Sequence, residues 1–275
     1  MILLYMNLET KNSNICISIC SYRDKDIYNT IHSLFDNAYD YKNIFVYVYI
    51  QELIPYSPKH YFYINKKYKK NIFIETTYYK NAKGPLYARQ YIIKMIKKHK
   101  KKFKYYFQID SHMRFIKNWD DILIKNYENL YPEKKIISYY PPGDFSQHEI
   151  PVLIEKSKIH NDRIDKYKTR FINSNIIKNY FSSKYIAAGF FFTEIKFIFD
   201  GSYPMINIPY LFQGEEMLLT YFFHLKNNFI IFSPFQNIAI HKYNRNKEFK
   251  IWNDLPNWKL LNNLAIEKLN KILRS

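Results

Sequence analysis

A chain of 275 residues that is 47% apolar and 19% aromatic can bury a sizeable core and is excluded from the disordered class. Its formal net charge of +18 would ordinarily point to nucleic acid or an anionic surface. The lysines, however, are spread through a sequence saturated with Lys, Asn, Ile, Tyr and Phe, the pattern an AT-rich coding sequence leaves everywhere, so no nucleic-acid partner is expected and the charge predicts only attraction of a phosphate-rich ligand.

Residues 15–20 form a short β-branched run ending at Ser21-Tyr22-Arg23-Asp24. Cys16 and Cys20 share one face of that strand at a spacing that suits neither zinc nor a redox pair, which predicts two buried free thiols. Asp24 or Asp26 is placed to cap a helix carrying Ile27, Ile31 and Leu34 at helical spacing. Residues 44–50, IFVYVYI, are apolar on both faces, as a buried parallel strand requires. Residues 71–76 predict a third strand. A helix begins near Pro85 with Ala88, Ile92, Met95 and Ile96 on one stripe, and the basic run at 97–102 reads as its solvated end. Residues 105–110, YYFQID, form a fourth strand, followed by a helix with Trp119, Ile122, Leu123 and Tyr127. This alternation predicts a doubly wound, mostly parallel central sheet with flanking helices. No repeat or linker divides it, so a single domain is expected. Ligands of such sheets bind beyond the carboxyl ends of the strands.

The second half is less regular. Residues 184–193 read as a strand broken by Gly189, and 215–225 as a helix facing inward through Leu218, Tyr221, Phe222 and Leu225. Residues 229–233 and 237–241 are strand candidates, and an amphipathic helix runs from Trp258 onward. Residues 150–179 carry no assignable pattern. No stretch reaches the roughly 20 apolar residues of a membrane span, the first six residues lack the basic start of a signal peptide, and no Asn-x-Ser/Thr sequon occurs. Together with free thiols these features predict a cytoplasmic protein.

The chemistry centres on Asp110-Ser111-His112 at the end of the fourth strand. A carboxylate and an imidazole two residues apart, where the chain leaves the sheet, can both hold one divalent ion. Such an O/N donor set suits Mn²⁺, or else Mg²⁺ or Co²⁺, better than a thiolate-loving metal. His241, after a late strand, is the candidate third ligand. An ion held there could bridge two phosphates and neutralise charge on a departing diphosphate. Taken alone, a strand-end Asp is more often a cap and a lone His a surface residue; the position after YYFQI is what singles this tripeptide out. The chain has five glycines, Gly84, Gly143, Gly189, Gly201 and Gly214, and each except Gly201 is expected to serve a backbone need. Gly84-Pro85 opens the helix that carries Arg89. Gly214 precedes Glu215-Glu216 at a helix start, where negative charge is favoured. One of that pair could cap; two after a glycine suggest a site.

Taken in order, the stretches ISICSYRD (17–24), Gly84-Pro85 with Ala88-Arg89, and QIDSHMRF (108–115) with Trp119-Asp120 resemble the Skp1-type hydroxyproline N-acetylglucosaminyltransferase family. Ala187-Ala188-Gly189-Phe190, Gly214-Glu215-Glu216 and Ile240-His241-Lys242-Tyr243 follow in the same order, so that the resemblance covers about residues 15–245. It implies a GT-A-type, Rossmann-like fold and a metal-dependent glycosyltransferase with a UDP-sugar donor, UDP-GlcNAc by default. Transfer would go to a hydroxyl on a protein (hydroxyproline, serine or threonine) or on a glycan, with retention. Asp110 and His112 would form the metal motif and His241 the distal ligand. Ser21, Tyr22 and Arg23 would line the uridine pocket, and Gly84, Arg89 and Ser111 would lie toward the diphosphate and ribose. Gly189 would sit beside the donor sugar, Glu215 would hold its hydroxyls, and Glu216 would face the acceptor; Glu215, Glu216 and Arg89 are the catalytic candidates.

The resemblance also divides the chain into a nucleotide-binding half of about 12–140, a donor-sugar and acceptor half of about 141–245, and a helical tail of 246–275. Phe212-Gln213 departs from the aromatic or second glycine often found before the family's Gly-Glu-Glu. The composition fits a viral or protist gene. Two rivals predict different behaviour. A metal-dependent nuclease or phosphotransferase needs more carboxylates converging on its ions than Asp120 and Asp121 supply. A non-catalytic glycan- or protein-binding module would show no metal dependence and no UDP-sugar turnover.

Overall fold

The alternating run IFVYVYI explains how the sheet is buried on both sides. In β2 (Ile44–Glu52) the side chains of Ile44, Val46, Val48 and Ile50 enter one apolar cluster, while Phe45, Tyr47 and Tyr49 enter another on the opposite face, as the two-residue period of a strand dictates. A computed structural model describes residues 14–54, 64–99, 101–145, 149–155, 158–160, 164, 167–173, 181–244 and 248–274.

In it β2 lies between β1 (Ile15–Tyr22) and β3 (Ile72–Tyr78), and all pair in parallel. β4 (Tyr105–Ile109) pairs in parallel with the other side of β1. Beyond it come β10 (Phe190–Glu194), β6 (Lys135–Ser138), β11 (Ile230–Ser233) and β9 (Phe181–Ser183), completing an eight-stranded sheet in the order β3-β2-β1-β4-β10-β6-β11-β9. β10 runs antiparallel to both neighbours and β9 antiparallel to β11, so the sheet is mostly parallel with reversed strands in its second half.

Helices cover both faces. Ile27, Ile31 and Leu34 of α1 (Ile27–Asp36) share the first cluster with Trp119, Leu123 and Tyr127 of α3 (Trp119–Glu128). Trp119 Nε1 donates to the carbonyl of Leu34 at 2.8 Å and ties the two helices together. The apolar stripe of α2 (Pro85–Lys98), Ala88, Ile92, Met95 and Ile96, packs on the other face. Asp120 accepts from the backbone N–H groups of Tyr39 and Asp40 at 2.6 and 3.0 Å; it anchors a loop and is not directed at a metal. Cys16 and Cys20 are free thiols on one face of β1, the former buried and the latter half-buried.

Some expectations are corrected. Asp26 occupies the cap position of α1 without a side-chain cap bond, whereas Asp24 Oδ1 accepts from Asp26 N at 2.9 Å at the helix start and its Oδ2 is drawn elsewhere. Residues 184–189 turn, and the strand begins only at Phe190. The helix expected over 215–225 is α-helical as α4 (Glu215–Thr220) and then widens into a π-helix over Tyr221–Lys226. Phe223 is buried one turn after Leu219, while Leu225 is left 65% exposed. The unassigned stretch 150–179 contains an antiparallel hairpin of β7 (Glu149–Glu155) and β8 (Lys168–Asn173); residues 174–180 lie outside the described ones.

A third apolar cluster closes the lower half. It joins Leu86, Leu211, Met217 and Leu218 to Ala265, Ile266 and Leu269 of α5 (Trp258–Arg274). Gly214 sits in this cluster with φ +117, a conformation that demands glycine, and a Cβ there would also have to displace Leu269 Cδ2 at 2.6 Å and Ile164 Cδ1 at 2.7 Å.

Candidate active site

The carboxyl ends of β1 and β4 open onto a cavity of about 400 Å³, where an open α/β sheet is expected to bind its ligand. Asp110 follows the last residue of β4 and faces that cavity. β5 (Met113–Phe115) and β12 (Ala239–His241) form a separate two-stranded ribbon with His241 opposite Met113, and this pairing carries His241 to the DSH motif. Its backbone is held by the Pro142 carbonyl, which accepts from His241 N at 2.8 Å. The motif's own loop is pinned by the buried Thr30, whose hydroxyl donates to Ser111 O at 2.8 Å and accepts from Met113 N at 2.9 Å.

Asp110, His112 and His241 each offer a ligand atom, all within 4.8 Å of one another. His241 Nε2 lies 3.1 Å from Asp110 Oδ2, and the two imidazole rings meet edge to face at 4.5 Å. His241 Nδ1 is buried without a hydrogen-bond partner. Arg89 Nη2 donates to Asp110 Oδ1 at 2.7 Å. Burial would raise the Asp110 pKa, but the hydrogen bond from His241 and the charges of Arg89, His241 and His112 outweigh it and hold the carboxyl well below its usual range. One carboxylate and two imidazoles, with an orphaned ring nitrogen among them, fit a borderline divalent ion.

Gly189 is required by close approach. A Cβ on it would lie 2.5 Å from Asp110 Oδ2, and its carbonyl accepts from Asp110 N at 3.3 Å. Arg89, only 3% exposed, spans the floor: it donates to the carbonyl of Ala188 as well as to Asp110, and its Nε lies 3.4 Å from Glu215 Oε1. Glu215 is equally buried, and burial pushes its carboxyl up to about 7; Arg89 opposes this while Asp110 and Glu216 add to it. Glu216 is more open. Its two oxygens accept from Tyr140 Oη at 2.5 Å and Ala188 N at 3.1 Å, which fixes the plane of the carboxylate.

The cavity therefore collects almost every site residue that the sequence singles out. Ser21, Tyr22, Gly84, Arg89, Asp110, Ser111, His112, Gly189, Glu215, Glu216 and His241 all line it. Arg23 does not. With φ 47 it turns aside, and its guanidinium binds Asp254 at 2.9 Å. Two features escape a reading of the sequence alone. Tyr140 is one, for no pattern links it to Glu216. The other is Asp24, buried behind the motif, whose Oδ2 accepts from Ser111 Oγ at 2.6 Å and lies 3.0 Å from His112 Nδ1. A carboxylate on one ring nitrogen fixes the tautomer and would leave Nε2 available to ligate an ion. Asp24→Asn should therefore weaken Mn²⁺ binding about 10–100-fold, read by titration of the ion alone into the wild type and the variant.

Comparison with known proteins completes the description. The family model Glycosyltransferase (GlcNAc) matches residues 57–275. No curated protein sequence matches the chain. Among solved structures, that of TarS 1–349 from S. aureus is similar over 83% of this chain and 60% of its own, with 15% identity and a TM-score of 0.50. GalNAc-T7, crystallised with UDP, GalNAc and Mn²⁺, is similar over 85% of this chain and 44% of its own, with 13% identity and a TM-score of 0.56. Such identities speak for the fold alone, and this chain spans at most three fifths of either structure.

Proposed function

This chain belongs to the Glycosyltransferase (GlcNAc) family and has the GT-A fold, and from that premise we propose that it transfers N-acetylglucosamine from UDP-GlcNAc to a hydroxyl acceptor with the help of a divalent ion, Mn²⁺ by preference. The observation that carries this reading is the convergence of Asp110, His112 and His241 at the strand ends, with Arg89 behind them. Those three side chains would hold the ion, which when bound supplies positive charge to the diphosphate. That GalNAc-T7 has been crystallised with UDP, GalNAc and Mn²⁺ supports a UDP-linked donor and the ion, and the GlcNAc moiety rests on the family.

The remaining roles rest on the chain's own groups. Ser21 and Tyr22 line the nucleoside end and Ser111 the ribose side. Arg89 and Gly84 serve the diphosphate. Gly189 leaves room for the donor sugar beside Asp110. Glu215, buried and held up to about 7, can donate a hydrogen bond to a sugar oxygen as readily as accept one. Glu216, its carboxylate aligned by Tyr140 and Ala188 N, faces the acceptor. No strong general base is required if configuration is retained; stabilisation of the departing diphosphate supplies most of the rate. The acceptor in this reading is a hydroxyl on a protein (hydroxyproline, serine or threonine) or on a glycan. The division at about 140 and 245, and a cytoplasmic setting, belong to the same proposal.

Isothermal titration of UDP with and without Mn²⁺, followed by UDP-GlcNAc hydrolysis, tests the core of it. Binding that requires Mn²⁺, and turnover of UDP-GlcNAc, are expected. A chain that binds no UDP under either condition overturns the transferase reading in favour of a binding module.

A further inference from the structure

The C-terminal segment crosses the mouth of the cavity. Phe249, Lys250, Ile251 and Trp252 line it, and two contacts seat this strap. At one end the Trp252 ring stands edge-on to Phe212 at 4.9 Å, just before the Gly214-Glu215-Glu216 turn. At the other, Asp254 Oδ2 accepts from both Tyr22 Oη at 2.8 Å and Arg23 Nη1 at 2.9 Å. The Arg23 guanidinium is further clamped between the Phe249 ring, 3.4 Å from its centroid, and the Tyr79 ring at 4.6 Å. Arg23 and Asp254 are only 12% and 16% exposed, so the pair is largely withdrawn from solvent screening.

These contacts decide what the nucleoside end of the cavity presents to a ligand. Tyr22 lines the cavity, and its hydroxyl is fixed in direction by Asp254. Arg23, next in sequence, has its charge neutralised and its guanidinium drawn out of the cavity by the same carboxylate. The carboxyl end of β1 thereby presents a fixed aromatic wall, with the Arg23 charge already balanced by Asp254, which suits an uncharged base better than a phosphate. We infer that Asp254 is a positioning residue for the nucleoside of the donor, acting through Tyr22 and Arg23, and that the C-terminal strap is a wall of the donor site. The inference rests on the UDP-sugar reading given above.

Asp254→Asn keeps the size of the side chain and removes its charge. Titration of UDP in the presence of Mn²⁺ should give a Kd about tenfold weaker than wild type, an effect of one well-placed charged hydrogen bond. Titration of Mn²⁺ alone should be unchanged, because the altered contacts lie at the nucleoside end. In turnover of UDP-GlcNAc, KM should rise by a similar factor with kcat held within about twofold, the mark of a uniform loss of donor binding. Asp254→Glu, which restores the carboxylate, should recover part of the affinity. A merely structural role for Asp254 would lower affinity for Mn²⁺ and UDP together, and that result overturns the inference. So does a variant that binds UDP as the wild type does. A wild-type chain that binds no UDP overturns the donor reading itself, and this inference with it.

Discussion

Asp110→Asn should lower Mn²⁺-dependent turnover of UDP-GlcNAc by at least about 10²–10³-fold, the scale of losing one group that stabilises charge in the transition state. The carboxylate touches both halves of the site: Oδ1 receives Arg89 and Oδ2 receives His241. An amide can satisfy one of those donors with its oxygen but presents N–H to the other, and it is a poor ligand for a divalent ion. The same substitution should abolish the Mn²⁺ requirement for whatever UDP affinity remains. Its effect on stability has a definite sign with pH. The Asp110 pKa is lowered in the folded chain, so its ionised form contributes stability above the ordinary carboxylate value of 3.8 that is lost as pH falls below it. Wild-type thermal stability should therefore drop more steeply than that of the variant on acidification below about pH 4. Equal turnover by the two proteins would remove Asp110 from the chemistry altogether.

Much of the first half of this fold can be read directly from the sequence, because a strand covered on both faces advertises itself as a continuous apolar run and a helix over it as a stripe. IFVYVYI and the Ala88–Ile96 stripe are examples. The second half is harder for equally physical reasons. β10 is antiparallel within a largely parallel sheet, so its connections do not follow the strand–helix rhythm. The π-helix at Tyr221–Lys226 adds a residue to the turn, which breaks the 3.6-residue period that predicts an inward-facing Leu225, and Leu225 is exposed. The metal-type cluster could be anticipated from the place of Asp110-Ser111-His112 at a strand end. The role of Asp24 could not, since an Asp just before a helix has a sufficient local explanation as a cap. Nor could that of Asp254: its bond to Arg23 joins residues 231 apart in the chain, and nothing in either neighbourhood points to the other.

The buried Arg89 leads to the second large effect, this time on folding. Arg89→Met should cost about 3–5 kcal/mol in urea denaturation, the range found when one member of a buried charge pair is removed. Its guanidinium makes three connections at once, to the Ala188 carbonyl, to Asp110 and toward Glu215. Glu215 suffers most from the loss, because it is 3% exposed and Arg89 is the cation facing it. Even with Arg89 present, burial pushes the Glu215 carboxyl up to about 7; without Arg89 the folded-state pKa must rise further. A raised acid contributes stability below its unfolded value of about 4.5 and loses it as pH climbs toward the folded value. The cost of Arg89→Met should accordingly be larger at pH 8 than at pH 5.5, and pairing it with Glu215→Gln should recover part of the loss and flatten the pH dependence. Arg89→Lys keeps the charge but not the planar fork that reaches three acceptors, so it should fall between the two in stability while turning over donor poorly. A cost that does not change between pH 5.5 and 8 would mean that Arg89 does not govern the titration of Glu215 in that range, and would overturn this account of their coupling.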